Sequence, residues 1–159
     1  MPGAGPRIRT DLVEVYVFRR RSSGAEFLLL RRMRPPQQGA WHPVLGHVME
    51  GERAVVAALR ELREETGLDA AGDSWRAIWQ LEQVHPFFLA DEDAIVMCPR
   101  FVVEAAGSWS PALNEEHDSF TWVAEHDIEQ RVVWPGQRAS CAEALSSIVR
   151  DERRTPLVL

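Results

Sequence analysis

Three glutamates at helical spacing are the residues of this sequence best suited to chemistry. Glu61, Glu64 and Glu65 are three and four positions apart, so on one helix they occupy an arc of roughly 100°. Carboxylates this close repel one another unless a cation lies between them. Mg²⁺ binds oxygen ligands and combines a few carboxylates with water and substrate phosphates. The spacing therefore indicates a divalent metal site for phosphate chemistry, whereas the ordinary alternative is a solvated acidic helix face.

A glycine loop, a helix and a glycine stop are the elements that must position these glutamates. Gly46 and Gly51 allow backbone angles that other residues resist, and Gly67 stands where helices commonly end in a left-handed residue. Apolar side chains recur at i, i+4 and i+7 and predict the buried face of the helix: Val55, Leu59 and Leu62.

The whole stretch resembles the Nudix box, G-x5-E-x7-R-E-U-x-E-E-x-G-U, in which U is a bulky aliphatic residue. The sequence matches at every specified position: Gly46, Glu52, Arg60, Glu61, Leu62, Glu64, Glu65, Gly67 and Leu68. A chance match in a chain of this length is rarer than about one in a million. The resemblance to Nudix hydrolases implies an α/β fold, namely an α/β/α sandwich with a mixed β-sheet between helices.

The resemblance also implies which box residues hold metal. In Nudix hydrolases the later glutamates of the box face the ion, which here means Glu61, Glu64 and Glu65, and the carbonyl of the first glycine, here Gly46, often joins them. The expected cofactor is Mg²⁺, with Mn²⁺ as an alternative.

Two further box residues are expected to hold the site in shape. The first glutamate of the box commonly pairs with the box arginine, so the resemblance implies an ion pair between Glu52 and Arg60 that orients the loop against the helix.

A fourth glutamate is expected from a distant loop, because Nudix hydrolases often supply one there as metal ligand or as base for the attacking water. Glu116 fits best by its position before His117 and Trp122, and Glu115 is the alternative. The ordinary interpretation of this loop is charged surface.

Substrate contacts are expected from residues near the box. Arg32, at the end of an apolar strand, can pair with a phosphate, although arginines at strand ends are usually solvated. Trp41 can stack on a base or fill the core. Phe87 or Phe88 can likewise contact a base, or both can seal the edge of the core. Lone histidines near loops are more often hydrogen-bonding or surface residues, so His42 and His47 are expected to have no catalytic role.

The remaining pattern predicts strands before and after the box helix. Residues 12–18 and 27–30 form a predicted hairpin, and later strands are predicted at residues 75–84, 94–103 and 119–123. A final helix opens at residues 134–136 with the apolar stripe Ala142, Leu145, Ile148 and Val149, and the apolar tail 155–159 is expected to dock on the domain or on a second subunit.

Length and composition limit the classes of protein to which this chain can belong. The 159 residues suggest one domain over residues 10–159 after a flexible lead-in at residues 1–9, and a net charge of −6 argues against a broad nucleic-acid surface. The sequence lacks a membrane span or signal peptide, and Cys98 and Cys141 have neither metal nor redox spacing. We therefore expect a cytoplasmic monomer or homodimer that binds a small nucleotide, without nucleic-acid or membrane partners.

Features outside the box resemble one branch of the family. Leu45-Gly46-His47 replaces the commoner Pro-Gly-Gly loop, and the segments 116–122 and 134–138 are similar to enzymes that convert dATP or dihydroneopterin triphosphate to the monophosphate and pyrophosphate. Alternatives are hydrolysis of diadenosine polyphosphates or ADP-ribose, or a nucleotide-binding module without catalysis. The last is disfavoured because such modules tend to lose box carboxylates and this sequence keeps all of them.

Overall fold

A computed structural model describes residues 5–35, 37–151 and 153–159. Its strands, in chain order, are β1 (Arg7–Arg9), β2 (Leu12–Arg21), β3 (Gly24–Arg32), β4 (Trp41–His42), β5 (Val44–His47), β6 (Trp75–Gln80), β7 (Phe87–Leu89), β8 (Ala94–Val96), β9 (Arg100–Ala105) and β10 (His117–Ala124). Its helices are α1 (Ala54–Thr66), α2 (Ile128–Arg131) and α3 (Pro135–Ala144), which continues into a π-helical turn at Leu145–Val149.

A mixed sheet of seven strands forms the middle layer. Its main path is β10-β3-β2-β9-β6, β4 pairs with β3, and β5 pairs with β2. β2 runs antiparallel to β3 and parallel to β9, which confirms the expected mixed sheet. The hairpin between β2 and β3 is also confirmed, and Gly24 enters its second strand at a φ of 121°, an angle that favours glycine.

The two faces of the sheet bury two separate cores, because side chains alternate along each strand. Val13, Val15 and Val17 of β2 pack with α1 on one face. Tyr16 and Phe18 pack with α2, α3 and the π-helical turn on the other. Helices therefore cover both faces, which confirms the α/β/α sandwich.

The buried face of α1 differs from the expected one. Ala58, Leu62 and Glu65 are buried, whereas Val55 and Leu59 are only partly buried at the edge of the core. The acidic face and the apolar face thus overlap at Glu65. The helix ends as expected at Gly67, which has a φ of 76° and donates its N–H to the Arg63 carbonyl at 2.9 Å.

Three expectations about strands need correction. Residues 7–9 form β1 instead of a flexible lead-in, and residues 1–4 lie outside the described residues. The strand expected at 94–103 is two strands, β8 and β9, with Cys98 and Pro99 between them. Residues 85–93, between the strands expected at 75–84 and 94–103, contain β7, and β1, β8 and β7 form a second, three-stranded sheet. β1 pairs with β8, which is distant in sequence, so local patterns do not reveal it.

The C-terminal elements also pack somewhat differently from the sequence pattern. Ala142 is exposed, and the buried stripe of the last helix runs through Cys141, Ala144, Leu145 and Ile148. The tail docks on the domain through Leu157, whose N–H donates to the Ile78 carbonyl at 2.8 Å and whose side chain packs on the α1 core. In the part of the chain that the structure describes, no helix combines the length and apolar character that a membrane span requires.

Candidate active site

The three glutamates of α1 have different surroundings. Glu65 faces the core and is 2% exposed, whereas the Glu64 side chain is half exposed. Glu61 lies between these extremes because Arg60 and the β5 strand cover it. One helix therefore carries three carboxylates that differ in solvation.

Glu65 is the most perturbed carboxyl group of this set. Burial, followed by the negative charges of Glu61 and Glu116, raises its pKa to about 9. Its Oε2 is buried and has no hydrogen-bond partner among the described residues. A divalent cation would stabilise the ionised form and give this oxygen a partner, so the donor set fits a metal ion at Glu65.

Gly46 lies directly against Glu61. A Cβ at position 46 would come within 2.1 Å of Cγ and Cδ of Glu61, so only glycine leaves room for this carboxylate. The backbone N–H of His47 donates to Glu61 Oε1 at 3.1 Å. The first glycine of the box thus lets β5 and α1 approach each other at the expected metal ligand.

Arg60 connects the box loop to the helix, as the resemblance implied. Its Nε donates to Glu52 Oε1 at 2.9 Å and one terminal NH₂ donates to Glu52 Oε2 at 2.9 Å. The same NH₂ donates to the His47 carbonyl at 2.7 Å, and the other donates to Glu61 Oε1 at 2.8 Å. Hydrogen bonds from Arg60 and then from the Met49 backbone N–H lower the pKa of Glu52 to about 2. The expected Glu52–Arg60 pair is confirmed, and it also holds Glu61.

The glutamates do not form an assembled cluster in this conformation. Within residues 5–35, 37–151 and 153–159, no three His, Cys, Asp or Glu side chains converge on a common point. Glu61 is engaged by Arg60, while Glu64 lies 3.5 Å from the same guanidinium and otherwise faces solvent. Joint metal binding by Glu61, Glu64 and Glu65, with the Gly46 carbonyl, stays a prediction.

Glu116 approaches this region from the loop before β10. Its carbonyl accepts the N–H of Met33 at 3.0 Å, which ties the loop to the end of β3. Its side chain is exposed, and its charge contributes to the raised pKa of Glu65. Glu116 is thus near enough to act on Glu65, and its role as ligand or base stays a prediction.

Arg32 also acts on Glu65, since its positive charge opposes the rise in that pKa. Its Nε donates to the Arg34 carbonyl at 2.9 Å, so the end of the guanidinium stays available for a phosphate. A surface cavity of about 330 Å³ adjoins it and is lined by Arg31, Arg32, Met33, Gln38, Gly39 and Asp118. Arg31 is held by a bidentate pair with Asp118.

The aromatic residues that were expected to contact the substrate lie in different environments. Trp41 is partly buried and packs against the α3 core, which favours the core alternative for this residue. Phe87 and Phe88 are 38% and 57% exposed, so neither seals the core edge. Contact of Trp41 or Phe87 with a base stays a prediction.

A buried polar network was not expected from the sequence. Glu14 on β2 accepts hydrogen bonds from Arg100 at 2.6 Å, Tyr16 at 2.9 Å and Gln137 at 2.9 Å. Glu14 stands alone among apolar residues in the β2 sequence, and this break in the pattern was the available signal. The network joins β2, β9 and α3 beneath the second face of the sheet.

A buried histidine pair was missed as well. His42 was expected to be a histidine near a loop without a catalytic role, and His117 was used only to locate Glu116, but both rings are buried beside β3.

Comparison with known proteins extends the resemblance beyond the box. Residues 10–143 match the model of the NUDIX domain. The chain is 33% identical over 143 residues to an octanoyltransferase of Myxococcus xanthus; the match covers 89% of this chain but only 38% of that longer relative.

Many solved structures share the fold at low identity, and two of them serve as examples. The E. coli dihydroneopterin triphosphate pyrophosphohydrolase has a TM-score of 0.72 at 18% identity, over 94% of this chain and 99% of that one. A C. elegans Ap4A hydrolase has a TM-score of 0.70 at 20% identity, over 87% of this chain and 96% of that one. Because the domain model spans most of the chain and the box geometry agrees with it, the chain belongs to the Nudix hydrolase family.

Proposed function

We propose that the protein hydrolyses the pyrophosphate linkage of a nucleoside diphosphate-x substrate, most specifically a nucleoside triphosphate such as dATP or dihydroneopterin triphosphate, to the monophosphate and pyrophosphate. The observation that carries the proposal is Glu65, a buried carboxyl group with one unpartnered oxygen on the box helix. A buried, strongly perturbed carboxyl group beside other carboxylates is what a metal-assisted hydrolase requires.

The chain's own residues have distinct tasks in this proposal. Glu61, Glu64, Glu65 and the Gly46 carbonyl would hold Mg²⁺ or Mn²⁺, together with Glu116. The bound metal would neutralise phosphate charge and lower the pKa of the attacking water. Glu116 or a box glutamate accepts the proton as the water oxygen attacks phosphorus and the bond between phosphorus and the bridging oxygen breaks.

Other residues orient the substrate and the ligands. Arg32 would pair with a phosphate, because its guanidinium lies near Glu65 and beside an open cavity. Arg60 holds Glu52, Glu61 and the His47 carbonyl and so fixes the loop against α1. Phe87 is exposed on β7 and offers a face for a base.

The substrate class rests on the segments that resemble the dATP and dihydroneopterin triphosphate branch. The folds of the E. coli dihydroneopterin triphosphate pyrophosphohydrolase and the C. elegans Ap4A hydrolase both resemble this chain, so both substrates belong in the test. We further propose that the protein acts on free nucleotides in the cytoplasm, as a monomer or homodimer. Its net charge of −6 disfavours nucleic acid as a partner.

A substrate panel with Mg²⁺ and product identification tests the proposal. The panel contains dATP, dihydroneopterin triphosphate, diadenosine tetraphosphate and ADP-ribose. Release of pyrophosphate from one of the triphosphates is the expected result. Preferential cleavage of diadenosine tetraphosphate or ADP-ribose would reject the triphosphate assignment but keep hydrolysis, and absence of turnover on the whole panel would contradict the proposed function.

A further inference from the structure

The small sheet of β1, β8 and β7 has two unlike faces. Ala94 and Val96 of its central strand are fully buried, whereas Ile95 between them is only partly buried. Because side chains alternate along a strand, Ala94 and Val96 point to the interior and Ile95 points away from it. Ile95 therefore marks an outer face of this sheet, which the described part of the chain leaves partly open.

The strand register brings two exposed apolar side chains beside Ile95. Ile8 of β1 and Phe88 of β7 both pair directly with Ile95, and directly paired residues share a face of the sheet. Ile8 is 70% exposed and Phe88 is 57% exposed. The outer face therefore has an apolar row that crosses all three strands and is open to solvent at both ends.

The surroundings of this row carry almost no charge. The outer face of the small sheet is defined here as the row and the residues two positions before and after it along each strand: Pro6, Ile8, Thr10, Pro86, Phe88, Ala90, Asp93, Ile95 and Met97. Only Asp93, at one end, is charged, although charged residues make up 26% of the chain. Arg7 and Arg9 alternate with Ile8 and so point to the other face. A contiguous apolar surface of this kind indicates an interaction site, since monomeric proteins rarely expose one.

We propose that the outer face of the small sheet is the contact surface of a homodimer. Each copy has a net charge of −6, so two copies repel each other over much of their surface. The outer face lets two copies approach without placing like charges together, and each face supplies the uncharged apolar surface that the other requires. A partner that docks through charged groups would find no counter-charge on the apolar row. An anionic membrane does not fit either, because the outer face has no basic side chain.

A two-fold axis parallel to β8 gives the best contact between two such faces. It places Ile8 of each copy over Phe88 of the partner subunit, because the axis exchanges the positions of β1 and β7. Each end of the row then pairs one large with one smaller side chain, so the two sheets stay evenly spaced at about 10 Å. An axis across the strands would instead stack two phenylalanines at one end and two isoleucines at the other. The parallel axis also closes the assembly at two copies.

The size of the outer face predicts a weak dimer. Its nine residues are roughly a third of the 20–30 that a standard interface uses on each side, and interfaces of this size are transient. The dimer should therefore form only at high protein concentration.

Dimerisation leaves the proposed substrate contacts free. Phe87 pairs with Val96 and so lies on the opposite face of β7 from Phe88. The proposed dimer does not depend on the proposed hydrolysis, because the oligomeric state is measured without substrate or metal.

Analytical ultracentrifugation of the full chain from about 10 μM to about 1 mM tests the proposal. The mean mass should rise with concentration from that of one chain, 18.0 kDa, towards twice that value. Ile8→Lys and Phe88→Glu should each weaken dimerisation by about 10-fold or more, since each places a charge in the apolar contact. Val133→Lys and Phe120→Glu are the matched controls, because these side chains are 55% and 36% exposed outside the small sheet, and both should associate like the parent.

An equimolar mixture of Ile8→Lys and Phe88→Glu tests the arrangement of the two copies. In the mixed dimer the two introduced charges of opposite sign face each other at one end of the row, and the parental contact between Ile8 and Phe88 forms at the other. The mixture should therefore dimerise more strongly than either variant alone. Lack of this recovery would overturn the proposed pairing.

A second measurement keeps the test decisive if a variant does not fold. Methyl NMR of the parent should show concentration-dependent shifts of Ile8 and Ile95, whereas the methyl groups of the exposed Val133 should stay unchanged. A parent that stays monomeric over the whole concentration range, or a dimer that persists in both Ile8→Lys and Phe88→Glu, would overturn the proposal.

Discussion

At the scale of single residues, burial decides what each glutamate of the box helix can do. Glu65 is nearly inaccessible and has a pKa of about 9, whereas the Glu64 side chain on the same helix is half exposed. The sequence places both on one acidic face, and only the packing of α1 on the sheet separates them. Glu65 is therefore the carboxyl group of the box helix whose protonation is coupled most strongly to folding.

Glu65→Gln should change the pH dependence of stability of the metal-free protein. The folded-state pKa of about 9 lies above the ordinary value of 4.5, so the folded chain keeps a proton that the unfolded chain has lost. This contribution to stability is fully present below about pH 4.5 and is lost as the pH rises to about 9. Urea unfolding should show that the parent loses stability between pH 6 and pH 9 relative to Glu65→Gln, which lacks this titrating group.

Glu64→Gln is the control for that experiment, because it removes a half-exposed carboxylate from the same helix. With Mg²⁺ and substrate, Glu65→Gln should also lose at least about 100-fold in turnover. A variant with parental turnover would remove Glu65 from the site.

Metal binding should release a proton from Glu65. A carboxyl group with a pKa of about 9 is protonated at neutral pH and must ionise to bind Mg²⁺. Calorimetry in buffers of different ionisation enthalpy should therefore give close to one proton released per Mg²⁺ at pH 7, and Glu65→Gln should release none. Binding without proton release in the parent would exclude Glu65 as a ligand.

At the scale of elements, the approach of β5 to α1 shapes the site. Gly46 leaves room for Glu61, and Arg60 spans the loop between the strand and the helix. These contacts explain why glycine and arginine occupy fixed positions of the box although neither was expected to react.

Arg60→Lys should weaken the site while the fold persists. Lysine keeps the charge but cannot donate in parallel to Glu52 and reach the His47 carbonyl and Glu61. We expect a roughly 10–100-fold loss of Mg²⁺ affinity or of turnover. Calorimetry measures the Mg²⁺ affinity, and steady-state kinetics measures the turnover.

Arg63→Lys is the matched control on the same helix, since its side chain is 61% exposed and its nearest carboxylate, Asp69, lies 4.0 Å away. Equal losses in the two variants would show that replacing any arginine of this helix by lysine has the same effect, and that the Arg60 contacts are not responsible.

Gly46→Ala should displace Glu61. The added Cβ would lie 2.1 Å from the Glu61 side chain, which must move out of its present position. Turnover should fall by about 10-fold or more while circular dichroism stays native. Gly5→Ala serves as control because no described heavy atom lies within 4 Å of its added Cβ, and parental activity in Gly46→Ala would contradict the role given to this close approach.

At the scale of the whole molecule, the C-terminal tail completes the core under α1. Leu157 packs there and its backbone bonds to β6, while Val158 is 98% exposed. The tail therefore belongs to the folded domain.

Leu157→Ala should lower the free energy of unfolding by about 1–3 kcal/mol, since part of an apolar side chain leaves the core. Val158→Ala should stay within about 0.5 kcal/mol of the parent because its side chain is solvated. Urea unfolding of both variants measures the difference. Equal stabilities would show that the tail detaches in solution.

The sequence by itself determined the box helix, its glycine stop, the hairpin before it and the class of fold. The helix, its glycine stop and the hairpin are local features that depend on helical spacing, on a residue suited to a positive φ, and on alternation within one strand, whereas the class of fold was implied by the resemblance to the Nudix box. The Glu52–Arg60 pair was predictable too, because the resemblance of the motif to the Nudix box implied it.

Only the tertiary structure decided which acids are buried, which distant residues meet, and where short strands form. Glu65 lies in the core because α1 packs on the sheet along that side, and Glu116 acts on it because β10 pairs with β3. β1 and β7 exist through pairing with β8, and His42 meets His117 across β3. Burial and cross-strand pairing depend on neighbours far apart in the chain, and spacing along a sequence carries no measure of them.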